Sequence, residues 1–134
     1  MEEIRVKALR EKMQEVLSFV DAILEREGCP LKTQMQIDLA VEELFVNIAD
    51  YAFPEDGEAC IGVEILPEPR RAAIRFTDTG FPFDPSQREE PDVTLSAEER
   101  KIGGLGILLV KKIMDAMVYR REDGKNILTI EKAI

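Results

Sequence analysis

The apolar side chains of residues 34–53 repeat with the period of an α-helix, and the rest of the chain is organised around this segment. At about 100° per residue, one set of apolar positions shares a face: Ile37, Val41, Leu44 and Ile48. A second set lies roughly opposite, so we expect the helix to be covered on two sides: Met35, Leu39 and Val46. Thr33 is predicted to cap this helix, with Gln36 at the capping-box spacing.

Similar patterns predict two further helices and five strands. The strands are expected at residues 3–7, 59–66, 72–77, 118–121 and 126–132, and the helices at 9–27 and 105–117. The resulting order, β-α-α-β-β-loop-α-β-β, is typical of an α+β fold. We expect a two-layer sandwich of a mixed, mostly antiparallel sheet with helices on one face. A chain of 134 residues is predicted to form a single domain over residues 1–134.

Composition and charge exclude several classes of protein. The net charge of −9 argues against nucleic-acid binding, which requires a basic surface. Because no apolar run approaches membrane-spanning length and the first residues are strongly charged, we expect no membrane segment and a cytoplasmic location. Cys29 and Cys60 are expected to be reduced packing thiols, with a disulfide as the alternative. The chain contains no histidine, which excludes zinc sites built from histidine, Ser-His triads and a phosphorylated histidine on this chain.

A polar stripe on the 34–53 helix carries the first candidate chemistry. Glu43 and Asn47 are four residues apart, so their side chains project from neighbouring points of the helix surface. A half-sheltered carboxylate beside an amide can act as a base and as an oxygen ligand. An ordinary solvated stripe on an amphipathic helix is the alternative.

Two glycine-containing motifs follow. Asp78 and Gly80 come directly after a predicted strand, where a carboxylate can accept a hydrogen bond from an amino group and a glycine lets a flat ring approach. Gly103, Gly104 and Gly106 open the last predicted helix, whose free amides and dipole suit a phosphate. An ordinary turn is the alternative at each place. No GxxxxGK[ST] sequence is present, so this is not a Walker-type phosphate loop.

The order and spacing of these motifs resemble those of the GHKL ATPases, which have the Bergerat fold. EELFVNIADYAF resembles their N box and DTGFPFDP their first glycine box, while GGLGILLVKKIMD with YRREDGKNIL resembles their second glycine box and tail. Within this superfamily the chain is most similar, over nearly its whole length, to the small anti-sigma-factor serine/threonine kinases.

The resemblance implies a role for each motif residue. Glu43 would be the general base, and Asn47 would bind Mg²⁺ through its amide oxygen. Asp78 would bind the adenine amino group, with Gly80 leaving room for the ring. Residues 86–101 would form an ATP lid, from which Lys101 or its neighbour Arg100 would reach the γ-phosphate. The other contacts to ATP would come from the second glycine box: Gly103, Gly104, Leu105 and Gly106.

Two positions depart from the family pattern. Tyr51 stands where many relatives have a histidine, so we expect a polar contact near the phosphates to be altered. The tail lacks the usual Gly-Thr pair, so the threonine contact to the adenine site needs a substitute. Asn126 and Thr129 are the two candidates.

The resemblance implies an ATP-dependent serine/threonine kinase that also acts as an anti-sigma factor. Such a protein would phosphorylate a serine of an antagonist protein, bind a sigma factor alternatively, and form a homodimer through its N-terminal region. One alternative is an ATP-gated interaction module without kinase activity, which would have no need of a base at Glu43. Another is a stand-alone histidine kinase catalytic domain, which the missing histidine and short lid disfavour.

Overall fold

A computed structural model describes residues 1–52, 57–84 and 105–134 of the chain. The element order agrees with the predicted one, with a 3₁₀ turn added before the first helix and a π-helix after the second. The elements are β1 (Glu2–Lys7), the 3₁₀ turn (Arg10–Lys12), α1 (Met13–Arg26), α2 (Leu31–Asn47), the π-helix (Ile48–Ala52), β2 (Glu58–Leu66), β3 (Arg71–Asp78), α3 (Leu105–Ile113), β4 (Ala116–Glu122) and β5 (Lys125–Ala133).

The five strands form one sheet in the order β1-β2-β3-β5-β4. The predicted α+β fold is confirmed, and all four pairs between the described strands are antiparallel. Short turns explain this arrangement, because they join β2 to β3 and β4 to β5 as hairpins. At the second hairpin, Asp123 and Gly124 have φ values of 51° and 74°, as a two-residue type I′ turn requires.

The core lies between one face of the sheet and the helices. Alternate residues of each central strand point towards the helices and are buried, as a half-covered sheet requires. α2 contacts both α1 and α3, which makes it the central helix of its layer. The largest fully buried side chains come from all these layers and include Phe45, Phe76, Ile37, Ile74, Ile107 and Ile130.

The start of α2 and its outer face differ from the prediction. The helix begins at Leu31 after Pro30, and no side chain caps it, so the expected Thr33 cap is wrong. Pro30 has extended backbone angles that suit the residue before a helix, and its carbonyl accepts the first helical hydrogen bond. The expected covering on two sides is also wrong, since Met35 and Leu39 are 62% and 37% exposed. The sheet and the flanking helices leave the outward face of α2 open.

The other two helices are shorter than predicted. The first predicted helix, 9–27, is a 3₁₀ turn followed by α1, and it ends before Gly28, which has a φ of 73°. α3 ends at Ile113 instead of residue 117, because Asp115 donates its N–H to the Glu131 carbonyl and β4 starts at the next residue. Both cysteines are free, as predicted. Among the helices in the described part of the chain, none is long and apolar enough to cross a bilayer.

Two carboxyl groups, Asp21 of α1 and Asp38 of α2, meet where these helices pack. One oxygen of each is buried and has no hydrogen-bond donor among the described residues. Burial, the hydrogen bond with Asp21, and the charges of Asp21, Glu42 and Glu25 raise the pKa of Asp38 from 3.8 to about 8. With this pKa, Asp38 is expected to keep its proton at neutral pH and to donate it to Asp21.

We expect Asp38→Asn to raise the melting temperature at pH 8 and to change it little at pH 4. The folded chain holds a proton on Asp38 that the unfolded chain releases, so the free energy of unfolding falls as the pH rises from about 4 to about 8. Because Asp38 is partly exposed, solvent screening limits the gain to about 1 kcal/mol, or a few degrees. Thermal melts at both pH values measure it, with the exposed Glu11→Gln as the charge control. Equal shifts at both pH values would rule out a proton held by Asp38 in the folded chain.

Candidate functional site

The end of the sheet brings together polar side chains from three neighbouring strands. Asp78, the last residue of β3, lies opposite Asn126 of β5, which in turn lies opposite Arg121 of β4. Asp78 and Asn126 are each only 5% exposed. Buried polar groups in proteins are nearly always hydrogen-bonded. The hydrogen-bond partners of Asp78, Asn126 and Arg121 therefore determine which of their polar atoms are left to bind a ligand.

The Asp78 carboxylate is held through one of its two oxygens. Its Oδ1 accepts hydrogen bonds from the Gly80 N–H at 2.8 Å and from the Asn126 Nδ2 at 3.0 Å. The first of these bonds closes a tight turn over Asp78 and Gly80, as short carboxylate side chains often do. Its Oδ2 has no hydrogen-bond partner among the described residues. One carboxylate oxygen is thus left to accept a hydrogen bond from a ligand.

Of the two candidates for the missing threonine contact, Asn126 and Thr129, Asn126 is the one that hydrogen-bonds to Asp78. Thr129 lies three positions further along β5, and strand alternation puts its side chain on the other face of the sheet. Tyr119 and Arg121 also reach Asn126, at 2.5 and 3.1 Å, and sequence reasoning missed both. The Asp123-Gly124 turn was the available signal, because a two-residue turn sets the pairing of Arg121 with Asn126.

A second group forms where α2 meets α3. A Cβ atom built on Gly106 would lie 2.1 Å from the Glu43 Oε2 and 2.9 Å from its Cδ. The Glu43 carboxylate therefore lies directly against the backbone of the first turn of α3, and only a glycine leaves room for it. Amides in the first turn of a helix favour nearby negative charge.

Asn47 ends α2 one turn after Glu43 and carries an unpaired oxygen. Its Oδ1 is buried and has no hydrogen-bond partner among the described residues. A buried amide oxygen without a partner costs about 1–3 kcal/mol, so this atom fits a bound cation. The adjoining π-helix, Ile48–Ala52, is of a type that often occurs at functional sites. Its Asp50 forms an ion pair with Arg10, whose Nε lies 2.9 Å from the Asp50 Oδ1.

Several predicted site residues lie outside the described part of the chain. They are the lid at residues 86–101 with Lys101, the glycines Gly103 and Gly104, and the side chains of Tyr51 and Leu105. The structure brings together Glu43 with Gly106 and Asp78 with Gly80, and it places Asn47 one turn from Glu43.

The family of the chain follows from comparison with known proteins. Residues 6–132 match the histidine kinase-like ATPase domain family. This match covers nearly the whole chain, so the chain belongs to that family of ATP-using domains. The resemblance carried by the three sequence motifs is thereby confirmed.

Similar curated proteins are named as protein kinases. The serine/threonine-protein kinase BtrW of Bordetella bronchiseptica is 28% identical over 116 residues, which cover 87% of this chain and 82% of BtrW. The serine-protein kinase RsbW of Listeria monocytogenes is 31% identical over 115 residues, which cover 81% of this chain and 72% of RsbW.

Among solved structures, the SiaB-SiaC complex from Pseudomonas aeruginosa contains a similar chain. The TM-score is 0.57, and the match covers 98% of this chain and 89% of the other. At 15% sequence identity this likeness shows the fold alone.

Proposed function

We propose that this protein is an ATP-dependent serine/threonine kinase that also acts as an anti-sigma factor. It would transfer the γ-phosphate of ATP to a serine of an antagonist protein and bind a sigma factor alternatively. Family membership and the names of the relatives BtrW and RsbW support the kinase assignment. The main observation in favour of this assignment is the contact of Glu43 with Gly106. This contact puts a carboxylate against a helix start suited to phosphate.

Each described site residue has a part in the proposed reaction. The serine hydroxyl of the antagonist attacks the γ-phosphorus, its proton passes to the Glu43 carboxylate, and the bond to the bridging oxygen of ADP breaks. The free oxygen of Asp78 accepts a hydrogen bond from the adenine amino group, beside Gly80. The amide of Gly106 faces the phosphates. Catalysis of this kind depends mainly on positioning and charge neutralisation.

Asn47 would hold the Mg²⁺ ion that accompanies ATP. Its buried and unpaired Oδ1 suits a hard cation that prefers oxygen ligands. When bound, Mg²⁺ would neutralise negative charge on the phosphates.

We expect Asn47→Ala to weaken ATP binding about tenfold in Mg²⁺ and less than twofold in EDTA, since alanine removes an oxygen ligand but keeps a good helix former. Calorimetry in both buffers measures the two losses. Gln36→Ala, which removes another amide about three turns earlier on the same side of α2, is the matched control. Equal losses for Asn47→Ala in both buffers would make Asn47 a packing residue.

The remaining parts of the proposal concern the assembly and its setting. The chain would act as a single domain over residues 1–134, as a homodimer in the cytoplasm, without nucleic acid or membrane partners. Its net charge of −9 supports a basic protein partner over a nucleic acid.

Labelling in native extract tests the proposed activity. The immobilised protein is incubated with extract that contains either γ-labelled ATP or ADP. The retained proteins are then identified by mass spectrometry. We expect a phosphoserine on a small retained protein and a sigma factor among the others. Asp78→Asn, which removes the proposed adenine acceptor, should abolish the label. If ATP and partners bind but no phosphoserine forms, the protein is an ATP-gated interaction module.

A further inference from the structure

The carboxamide of Asn126 has all four of its hydrogen-bonding capacities filled. Its Nδ2 donates to the Asp78 Oδ1 at 3.0 Å and to the Phe81 carbonyl at 2.8 Å. Its Oδ1 accepts from the Tyr119 hydroxyl at 2.5 Å and from the Arg121 Nη1 at 3.1 Å. An amide can make two bonds as a donor and two as an acceptor, so no capacity remains for a ligand.

This set of bonds fixes the orientation of the amide. If the amide turned by 180°, its oxygen would face the Asp78 carboxylate and the Phe81 carbonyl, which both only accept hydrogen bonds. Its NH₂ group would then face the Arg121 guanidinium, which only donates. The flipped state would leave several buried polar groups unpaired, and each of them costs free energy. Tyr119 and Arg121 therefore force Asn126 to present a donor to Asp78.

Arg121 also holds the segment that follows Asp78. Its Nη1 donates one hydrogen bond to the Asn126 Oδ1 and another to the Gly80 carbonyl, the latter at 2.8 Å. Asn126 holds the next carbonyl, that of Phe81. The turn after β3 is thus attached to β4 and β5 at two successive peptide groups, and the carboxylate inside it cannot rotate freely.

We propose that Tyr119, Asn126 and Arg121 form a positioning unit that keeps Asp78 a fixed hydrogen-bond acceptor and so sets the choice of purine. This inference rests on the proposed binding of ATP near Asp78. Donors from Gly80 and Asn126 hold Oδ1, and the free Oδ2 meets position 6 of the base. A 6-amino group can donate to that oxygen, whereas a 6-oxo group would place two acceptors against each other. The unit therefore favours adenine over hypoxanthine.

The double variant Tyr119→Phe/Arg121→Gln tests the inference. It removes two donors that orient Asn126 but leaves Asp78 and Asn126 in place. ATP and ITP differ at position 6 and the adjoining N1, so the ratio of their dissociation constants reports on the Asp78 acceptor. We expect the affinity for ATP to fall at least tenfold, about 1.4 kcal/mol, and the affinity for ITP to fall less than about threefold. Calorimetry with both nucleotides measures the ratio.

Arg120→Gln is the matched control. Arg120 precedes Arg121 on β4, and strand alternation puts its side chain on the other face, where it pairs with Glu122 at 3.3 Å. The change in charge is the same, so we expect the ratio of ATP to ITP affinity to stay at the wild-type value.

Each outcome supports or overturns the inference. If the double variant lowers the affinity for ATP and for ITP equally, or lowers neither, the three residues do not set the choice of purine. The proposed kinase function is not affected by that result. A wild type that binds both nucleotides equally has the same consequence. A wild type that binds no ATP removes the proposed function as well. If the double variant does not fold, Asn126→Asp replaces it, because that change puts an oxygen where Asp78 meets a donor, and it should lower the ratio of ATP to ITP affinity.

Discussion

Replacing Gly106 by alanine should lower the rate of phosphate transfer about 100-fold while the domain stays folded. The new Cβ would stand 2.1 Å from the Glu43 Oε2, so the carboxylate must retreat by roughly 1 Å to restore a contact of 3.0 Å. A misplacement of about 1 Å at a reacting group can cost about 10²-fold in rate. Alanine also favours a helix by about 1 kcal/mol over glycine, so the melting temperature should not fall.

Two comparisons separate this effect from a general disturbance. Gly62→Ala is the matched glycine control, because its Cβ would also approach a flexible side chain, the Met1 Sδ at 2.4 Å, on β2. We expect that variant to transfer phosphate at the wild-type rate. Combining Gly106→Ala with Glu43→Gln should be no slower than Glu43→Gln alone, since both remove the same carboxylate from its position. Losses that multiply would mean that Gly106 acts apart from Glu43.

Much of the site follows from local sequence patterns. Helical spacing places Glu43 and Asn47 one turn apart, and both stand so on α2. Asp78 ends a buried strand, as predicted, and its bond to the Gly80 N–H needs only the local chain. A short-range pattern predicts such features because neighbours along the chain determine them.

The features that sequence reasoning missed depend on contacts between distant segments. The raised pKa of Asp38 depends on the packing of α1 against α2, which brings Asp21 to it. The bond from Arg121 to the Gly80 carbonyl joins residues 41 positions apart. Neither contact has a periodicity of its own in the sequence. The register of the β4–β5 hairpin could have indicated that Arg121 lies opposite Asn126, but not that Arg121 reaches Gly80.

The wrong predictions also have a common physical cause. A capping box at Thr33 is a valid local pattern, but Pro30 starts the helix earlier, and the residues after it are already helical. The apolar side chains of Met35 and Leu39 predicted a second cover for α2. The helices lie in one layer on a single sheet, so that face remains exposed.

The larger effect on transfer is expected from Glu43 itself. Glu43→Gln keeps the size and the helix propensity of the side chain but removes its ability to take a proton. Loss of a general base typically costs about 10²–10⁴-fold in rate. Because a general base would act in the transition state and not hold the nucleotide in the ground state, the affinity for ATP should change less than about threefold.

Single-turnover transfer from γ-labelled ATP to the serine of the isolated antagonist therefore tests the central claim most directly. Wild type and Glu43→Gln are compared at saturating ATP and Mg²⁺, with Glu42→Gln, the exposed neighbour on α2, as the control. We predict rapid transfer by the wild type and by Glu42→Gln, and transfer at least about 100-fold slower by Glu43→Gln at nearly unchanged ATP affinity. Equal rates for wild type and Glu43→Gln, or no transfer by a wild type that binds ATP and antagonist, would contradict the claim.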